Sequence, residues 1–320
     1  MMKSQRLLYS FARAAFTGTT ILLAATINAQ VQYDYTTLSA PGAIATEPFG
    51  IAGNNIVGWA SGNGAFLYNG SSYTTLSVPG TFGTWACGIS GNDIVGFYDN
   101  GRSYEGFLYN GTSYTTLSVP GATTFAQGIS GNKVVGYYYY TVGPPVYGFI
   151  YDGSSYTTLS VPGATTTYAY GISGNTIVGY YMNANGDDQG FLYDGNSYTT
   201  LSVPGALDTE AYSISGNDIV GSYYNGRSGQ GFIYNGTSYT TLNVPGAMAT
   251  WAYGISGNQI VGYYLNSNGY YRGFLATPVP EPGRLRLFNI CLLVLCIPMQ
   301  PNKSQGNAGW PLQFRCRGPR

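Results

Sequence analysis

The tetrapeptide Tyr-Thr-Thr-Leu occurs six times, beginning at Tyr35, Tyr73, Tyr114, Tyr156, Tyr198 and Tyr239, with successive offsets of 38, 41, 42, 42 and 41 residues. A period near 40 held through that many copies means one supersecondary unit is built repeatedly, so the fold must be one that packs such units against each other. Most copies continue through Val-Pro-Gly, then Gly-Ile-Ser-Gly-Asn (128–132 in one copy), then Val-Val-Gly-Tyr-Tyr or Ile-Val-Gly-Tyr-Tyr, then Gly-Phe-Leu-Tyr or Gly-Phe-Ile-Tyr. Four short apolar or aromatic runs thus alternate with turn residues. In the fourth unit the runs fall at 155–161, 169–173, 176–181 and 190–193, each bounded by Gly, Pro, Asn or Asp, which reads as four β-strands. Asn69-Gly70, Asn110-Gly111, Asp194-Gly195 and Asn235-Gly236 tolerate positive φ and predict tight hairpins, while Pro162, lacking an N–H, ends its strand.

Along 156–161, Tyr156, Thr158 and Ser160 share one face and Thr157, Leu159 and Val161 the other, and neither face is charged. A sheet of this kind needs a neighbour on both sides, which a ring of radially packed blades supplies. The repeats are also cut out of phase. A lone Tyr-Thr-Thr-Leu strand opens the array near Tyr35, and the last unit ends at Gly273-Phe274-Leu275 with no such strand after it. If the first strand completes the last blade, no edge is left unpaired. The reading is therefore all-β, a six-bladed β-propeller of four-stranded repeats over 30–276; the alternative is a β-solenoid, whose two ends would need caps.

The units resemble bacterial extracellular repeats of the HAF type. Gly-Ile-Ser-Gly-Asn, Ile-Val-Gly-Tyr and Gly-Phe-Leu-Tyr stand where that family has a Gly-Ile-Asn-like turn, a Val-Val-Gly strand and a His-Ala-Phe strand; Ala65-Phe66 keeps part of the last, and every His is absent. The resemblance implies an exported repeat protein without an established activity. Residues 1–29 read as a signal peptide: Lys3, Arg6 and Arg13, an apolar run over 14–27, and Ile27-Asn28-Ala29 as a small-residue cleavage site. Over 277–320, Pro280-Glu281-Pro282, an apolar stretch and a late cluster of Arg315, Arg317 and Arg320 resemble a degenerate PEP-CTERM sorting signal, the substrate of an exosortase in Gram-negative bacteria. Its apolar segment, 287–299, is too short to span a bilayer. These ends imply secretion or display on the outer cell surface, with transient membrane contact through the signal peptide and the tail.

Net charge is zero overall but segregated. Residues 1–30 carry +3, residues 31–276 hold twelve acids against four bases for a net of −8, and residues 277–320 carry +5. A mildly acidic repeat domain repels phosphate backbones, so nucleic acid is not an expected partner. With no histidine, Ser-His-Asp, Cys-His and His-metal chemistry is excluded. Cys291 and Cys296 lack the companions of a metal site, and Asn183, Asn185 and Asp187 have calcium-loop spacing without the closing Glu, so no metal or cofactor is expected.

Two residue classes remain as binding candidates. Glu47, Asp208 and Glu210 follow Pro-Gly links in two copies, which predicts acids on one rim of the ring. Tyr138, Tyr181, Tyr224, Tyr264 and Tyr271 come from paired tyrosines, one of each pair being free to reach a blade edge or the channel, where an aromatic face with a polar tip suits glycan or protein. The expected function is non-enzymatic binding or structural work on extracellular polysaccharide or an envelope protein. The alternative is a polysaccharide hydrolase or lyase using Asp208 and Glu210.

Overall fold

The computed structural model describes residues 31–140 and 143–279; the expected signal peptide and the Pro280-Glu281-Pro282 tail lie outside them. The described residues form six antiparallel four-stranded sheets. The innermost strands, Thr46–Ala52, Gly83–Ser90, Thr123–Ser130, Thr166–Ser173, Asp208–Ser215 and Ala249–Ser256, neighbour one another around a closed circuit, so the sheets are the blades of a propeller rather than rungs of a solenoid. Blade 4 is representative: Thr166–Ser173, Thr176–Met182, Asp188–Tyr193 and Tyr198–Leu201, from the axis outward, with the Tyr-Thr-Thr-Leu strand outermost.

Closure follows the out-of-phase repeats. Tyr33–Leu38 pairs with Tyr271–Pro278, with Tyr35 opposite Ala276 and Thr37 opposite Phe274, so the first strand of the array is the outer strand of blade 6. Leu38, 5% exposed, packs with Ile51, Ile56 and Phe66 of blade 1 and Val261 of blade 6, which ties the first blade to the last. The same alternation recurs in each gap between blades, around one fully buried phenylalanine such as Phe107, Phe149, Phe191 or Phe232.

Two local devices bear on the sequence expectation. The Asn-Gly and Asp-Gly connections are the expected hairpins, each with a four-residue loop. Asn69 Oδ1 accepts the amides of Ser71 (3.0 Å) and Ser72 (2.9 Å), and only Gly70 takes positive φ (91°). Secondly, the Val-Pro-Gly link is shorter than it reads. In blade 5, Ala206 N donates to Val203 O (3.0 Å) and Val203 N donates to Thr209 Oγ1 (3.1 Å), which turns the chain back into a strand at once. Equivalent threonines do this in the other blades, as in Val161 N to Thr167 Oγ1 at 3.0 Å. Asp208, Glu210 and Glu47 are consequently residues of innermost strands and not of the links.

Each inner strand carries a bulge just before its Gly-Ile or Ser-Ile pair, for example between Ala169 and Gly171. There the ring is tightest: a Cβ on Gly171 would stand 2.7 Å from Ser213 Cα of the next blade, so only glycine fits.

Candidate functional site

Antiparallel alternation places the Pro-Gly links and the loops between second and third strands on one face of the disc, and the Asn-Gly hairpins on the other. Tyr33 opposite Pro278 puts both ends of the described barrel on the hairpin face. The first half of every inner strand therefore opens towards the loop face, and the chemistry-bearing residues collect there.

Around that face runs an aromatic belt built from one position on each inner strand and its partner on the second strand. Trp85 stacks on Phe97 (5.0 Å, 11°), Phe97 meets Phe125 of the next blade edge-on (4.9 Å, 69°), Phe125 stacks on Tyr137 (4.8 Å, 19°), Tyr137 meets Tyr168 edge-on (4.9 Å, 77°), and Tyr168 stacks on Tyr180 (4.8 Å, 24°). Stacking within a blade and edge contact between blades both suit the ring quadrupole. Blade 6 continues the pattern with Trp251 on Tyr263 at 5.2 Å. Blades 1 and 5 break it: register puts Glu47 opposite Trp59 and Glu210 opposite Ser222.

Nearer the axis, the bulge residues Phe49, Cys87, Gln127, Tyr170, Tyr212 and Tyr253 line a cavity of about 170 Å³. Tyr212 and Tyr253 stack at 4.1 Å and 4°. Burial pushes the Cys87 thiol and the Tyr170 and Tyr253 hydroxyls well up, so these groups stay protonated and the channel is an uncharged aromatic plug.

The break at blade 5 makes a second cavity, about 300 Å³, lined by Asp208, Glu210, Ser222, Tyr223, Tyr224, Gly229 and Trp251. Three replacements open it. Glu210 and Ser222 stand where other blades carry stacked aromatic rings, and Gly229 stands where blade 2 has Tyr104 and blade 6 has Tyr271. Trp251 of the neighbouring blade lies over Gly229, 3.4 Å from where a Cβ would be. Its other neighbours are Tyr263 and, edge-on at 6.0 Å, Tyr271.

Carboxylates flank this tryptophan. Glu210 accepts from the Tyr212 hydroxyl and from Ser222 Oγ (3.3 Å), and burial raises its pKa against those two hydrogen bonds. Asp208 Oδ1 accepts the Asp188 amide at 3.1 Å. Asp188, on the third strand of blade 4, is pushed up to about 6 by burial and then by the charges of Glu210, Asp208 and Asp187. Burial also raises Glu47 on the far side of blade 6, and both Glu47 and Glu210 add to the upward shift that burial gives Tyr263. The acids thus bracket blade 6 from both sides at the loop face.

The sequence candidates separate into two groups. Asp208, Glu210 and Tyr224, the last 40% exposed, line the blade 5–6 cavity, and Tyr271 flanks Trp251. Tyr138, Tyr181 and Tyr264 instead reach across their own sheets, bonding Thr158 (2.9 Å), Thr200 (3.1 Å) and Thr37 (3.5 Å) of the outer strand. They brace the second strand to the outer strand within a blade and turn their hydroxyls away from the channel. Asn183 Oδ1 is committed to the amides of Asn185 (2.8 Å) and Asp187 (3.0 Å), closing its own loop, and no set of three His, Cys, Asp or Glu residues converges as metal ligands among the described residues. Asp188, Ser222, Gly229 and Trp251 escaped the sequence reading; superposing the repeats column by column would have shown Glu210 and Ser222 as departures from an aromatic rule that Trp251 keeps.

No family model and no curated protein matches the chain. Among solved structures, it is similar to the SapL1 lectin in complex with α-methyl fucoside (14% identity, 75% of this chain and 98% of that one, TM-score 0.49). It is similar also to a fucose-specific lectin from Aleuria aurantia (14%, 79% and 98%, 0.39), and to the β-propeller domain of the Trilobed protease from Pyrococcus furiosus (9%, 74% and 98%, 0.44). Likenesses this distant carry nothing on ligand or activity, and the architecture rests on the sheet topology above.

Proposed function

We propose that this propeller is an exported, non-enzymatic binding module for extracellular polysaccharide and that the blade 5–6 cavity holds a sugar residue. The observation that carries the reading is the Trp251 ring beside Asp208 and Glu210 in a cavity of about 300 Å³ on the loop face. An indole face accepts the C–H face of a pyranose ring, and carboxylate oxygens accept hydrogen bonds from its hydroxyls, the usual division of labour in a concave site with a few convergent polar groups. Asp208 is the better acceptor, because Glu210 is already engaged by Tyr212 and Ser222.

Export, display on the surface of a Gram-negative bacterium and a sorting signal in the tail belong to the same proposal. They are supported by the basic and apolar pattern of 1–29 and by Pro280-Glu281-Pro282.

Retention of the protein on a panel of immobilised polysaccharides tests the reading, with Trp251→Ala and Asp208→Asn as probes. Retention by at least one polysaccharide that both changes weaken supports it; no retention on any polysaccharide rejects it. A second reading, a carboxylate-dependent hydrolase or lyase, is favoured by the Asp188 carboxyl, pushed up to about 6 by burial and lying beside Asp208. Turnover of a retained polysaccharide that is lost in Asp188→Asn or Glu210→Gln would select it.

A further inference from the structure

The exposed apolar side chains of residues 32–279 are confined to one face. Four occupy the same position, three residues after the link proline: Ile44 (64% exposed), Phe82 (81%), Leu207 (58%) and Met248 (57%). They sit on blades 1, 2, 5 and 6, which are consecutive around the ring, while blades 3 and 4 carry Thr123 and Thr165 at the equivalent positions. The remaining exposed large side chains, Tyr140, Tyr224, Tyr270 and Tyr271, stand at the adjoining loops between second and third strands. The hairpin face has only Asn, Asp, Gly, Ser and Thr at its loop tips.

The cations follow the same arc. Three of the four basic residues in 32–279 are on this face: Arg102 in blade 2, Arg227 in blade 5 and Arg272 in blade 6. Two of them share an Asn-Gly-Arg-Ser loop that supports the apolar tip of its own blade: Phe82 N donates to Asp99 O (2.9 Å) and Leu207 N to Tyr224 O (2.8 Å), and the Phe82 ring lies over Gly101. Arg272 stands 5.9 Å from the Tyr270 ring centroid. Arg102 and Arg227 are exposed, whereas Asp188, Asp208 and Glu210 are recessed between blades.

We propose that this half of the loop face docks on a zwitterionic phospholipid bilayer, with Ile44, Phe82, Leu207 and Met248 entering the acyl boundary. Isolated apolar tips spaced around an arc suit a fluid acyl layer, which closes around each; a rigid partner would need a matching pocket for every one. Tyrosines beside the tips suit the headgroup depth. The tips of the loops offer guanidinium groups to lipid phosphates, and the recessed carboxylates behind them meet ammonium groups, so both signs of a zwitterionic headgroup find a complement. Asp208 and Glu210 also line the blade 5–6 cavity, so a docked headgroup and a sugar there compete for them, whereas the four apolar tips and the three arginines lie outside its lining.

Sedimentation of the full chain with phosphatidylcholine–phosphatidylethanolamine vesicles tests it, comparing the natural chain, a variant with Ile44, Phe82, Leu207 and Met248 all changed to Ser, and a variant with Arg102, Arg227 and Arg272 all changed to Gln. The changed side chains are on the surface, so an unshifted melting curve verifies folding. The serine variant is expected to bind vesicles at least 30-fold more weakly while keeping polysaccharide retention, and the glutamine variant several-fold more weakly. Equal vesicle binding by the natural chain and the serine variant would place the contact in the terminal segments and overturn the proposal. So would absence of vesicle binding, or a natural chain that self-associates through the arc and falls apart in the serine variant without binding lipid.

Discussion

Changing Leu38 to Ala probes how the ring is held shut. Leu38 lies on a strand joined to its sheet only by hydrogen bonds and packing, and it fills the gap between blades 6 and 1 beside Ile51, Ile56, Phe66 and Val261. Leu159 is the equivalent residue of blade 3, similarly buried at 3% exposure among Ile172, Ile177 and Phe191, but its strand is covalently continuous with its blade. Truncating a buried leucine costs about 2–5 kcal/mol through lost transfer energy and a residual cavity, so either change takes a large part of a total stability of about 5–15 kcal/mol. At about 2–4 °C per kcal/mol for a domain of this size, each lowers the melting temperature by about 4–20 °C. The two should part in local behaviour. In Leu38→Ala the closing strand opens ahead of global unfolding, so amide exchange along Tyr271–Pro278 accelerates well before exchange in blades 2 to 5; in Leu159→Ala protection falls evenly. Thermal melts by circular dichroism and hydrogen exchange read by mass spectrometry measure both. If Leu38→Ala lowers the melting temperature by less than about 3 °C, or leaves exchange along Tyr271–Pro278 unchanged, the closing strand is not the fastener.

Gly171→Val should prevent folding or cost more than about 4 kcal/mol, because the added side chain meets the backbone of the next blade at Ser213; soluble expression and a melting curve decide it. Asp188→Asn should stabilise the protein near pH 7 and do nothing near pH 4. The native carboxyl, raised to about 6, binds a proton more tightly than the unfolded one, so its stabilising contribution is complete below the unfolded pKa and is lost as pH rises through 6. Because the group is half exposed, the gain is about 1 kcal/mol after discounting for solvent screening, and denaturant midpoints at the two pH values would show it. Thr209→Val, which removes the hydroxyl that accepts Val203 N, should cost about 1–2 kcal/mol and loosen the link beside the cavity, seen as faster amide exchange at 203–208.

Much of the fold was legible because it is a property of the period. Six copies, strand-length apolar runs and an orphan strand at Tyr35 determine blade number and the manner of closure, and the pairing of Thr37 with Phe274 has the register that this implies. The link was misread because Pro-Gly signals a turn but not its length; what shortens it is a threonine hydroxyl six residues after Val203, a bond that no local propensity records. Tyr138, Tyr181 and Tyr264 were misjudged for a related reason. Alternation tells that Tyr138 and Tyr137 face opposite sides, but not that Thr158, two strands away, waits for the Tyr138 hydroxyl.

Symmetry also separates the residues that hold the ring from those able to hold a ligand. A side chain present in every blade answers a packing problem that recurs in every blade, as with Phe107, Phe149 and Phe191 in the core or Thr124, Thr167 and Thr209 under the links. A side chain that departs from the rule relieves no shared constraint. At blade 5, Glu210 and Ser222 forgo aromatic stacking of about 0.5–1.5 kcal/mol and leave a carboxylate raised by burial in its place, beside a Gly229 where blades 2 and 6 carry tyrosine. Two adjacent departures that lower stability and, with Gly229, open one cavity against a tryptophan are what a binding site grafted on a repeat scaffold requires. Restoring the rule is therefore the sharpest perturbation of all: Glu210→Tyr with Ser222→Phe and Gly229→Tyr should raise the melting temperature or leave it unchanged, and should abolish polysaccharide retention by filling the space beside Trp251. A restored belt that still retained polysaccharide would move the site away from blade 5.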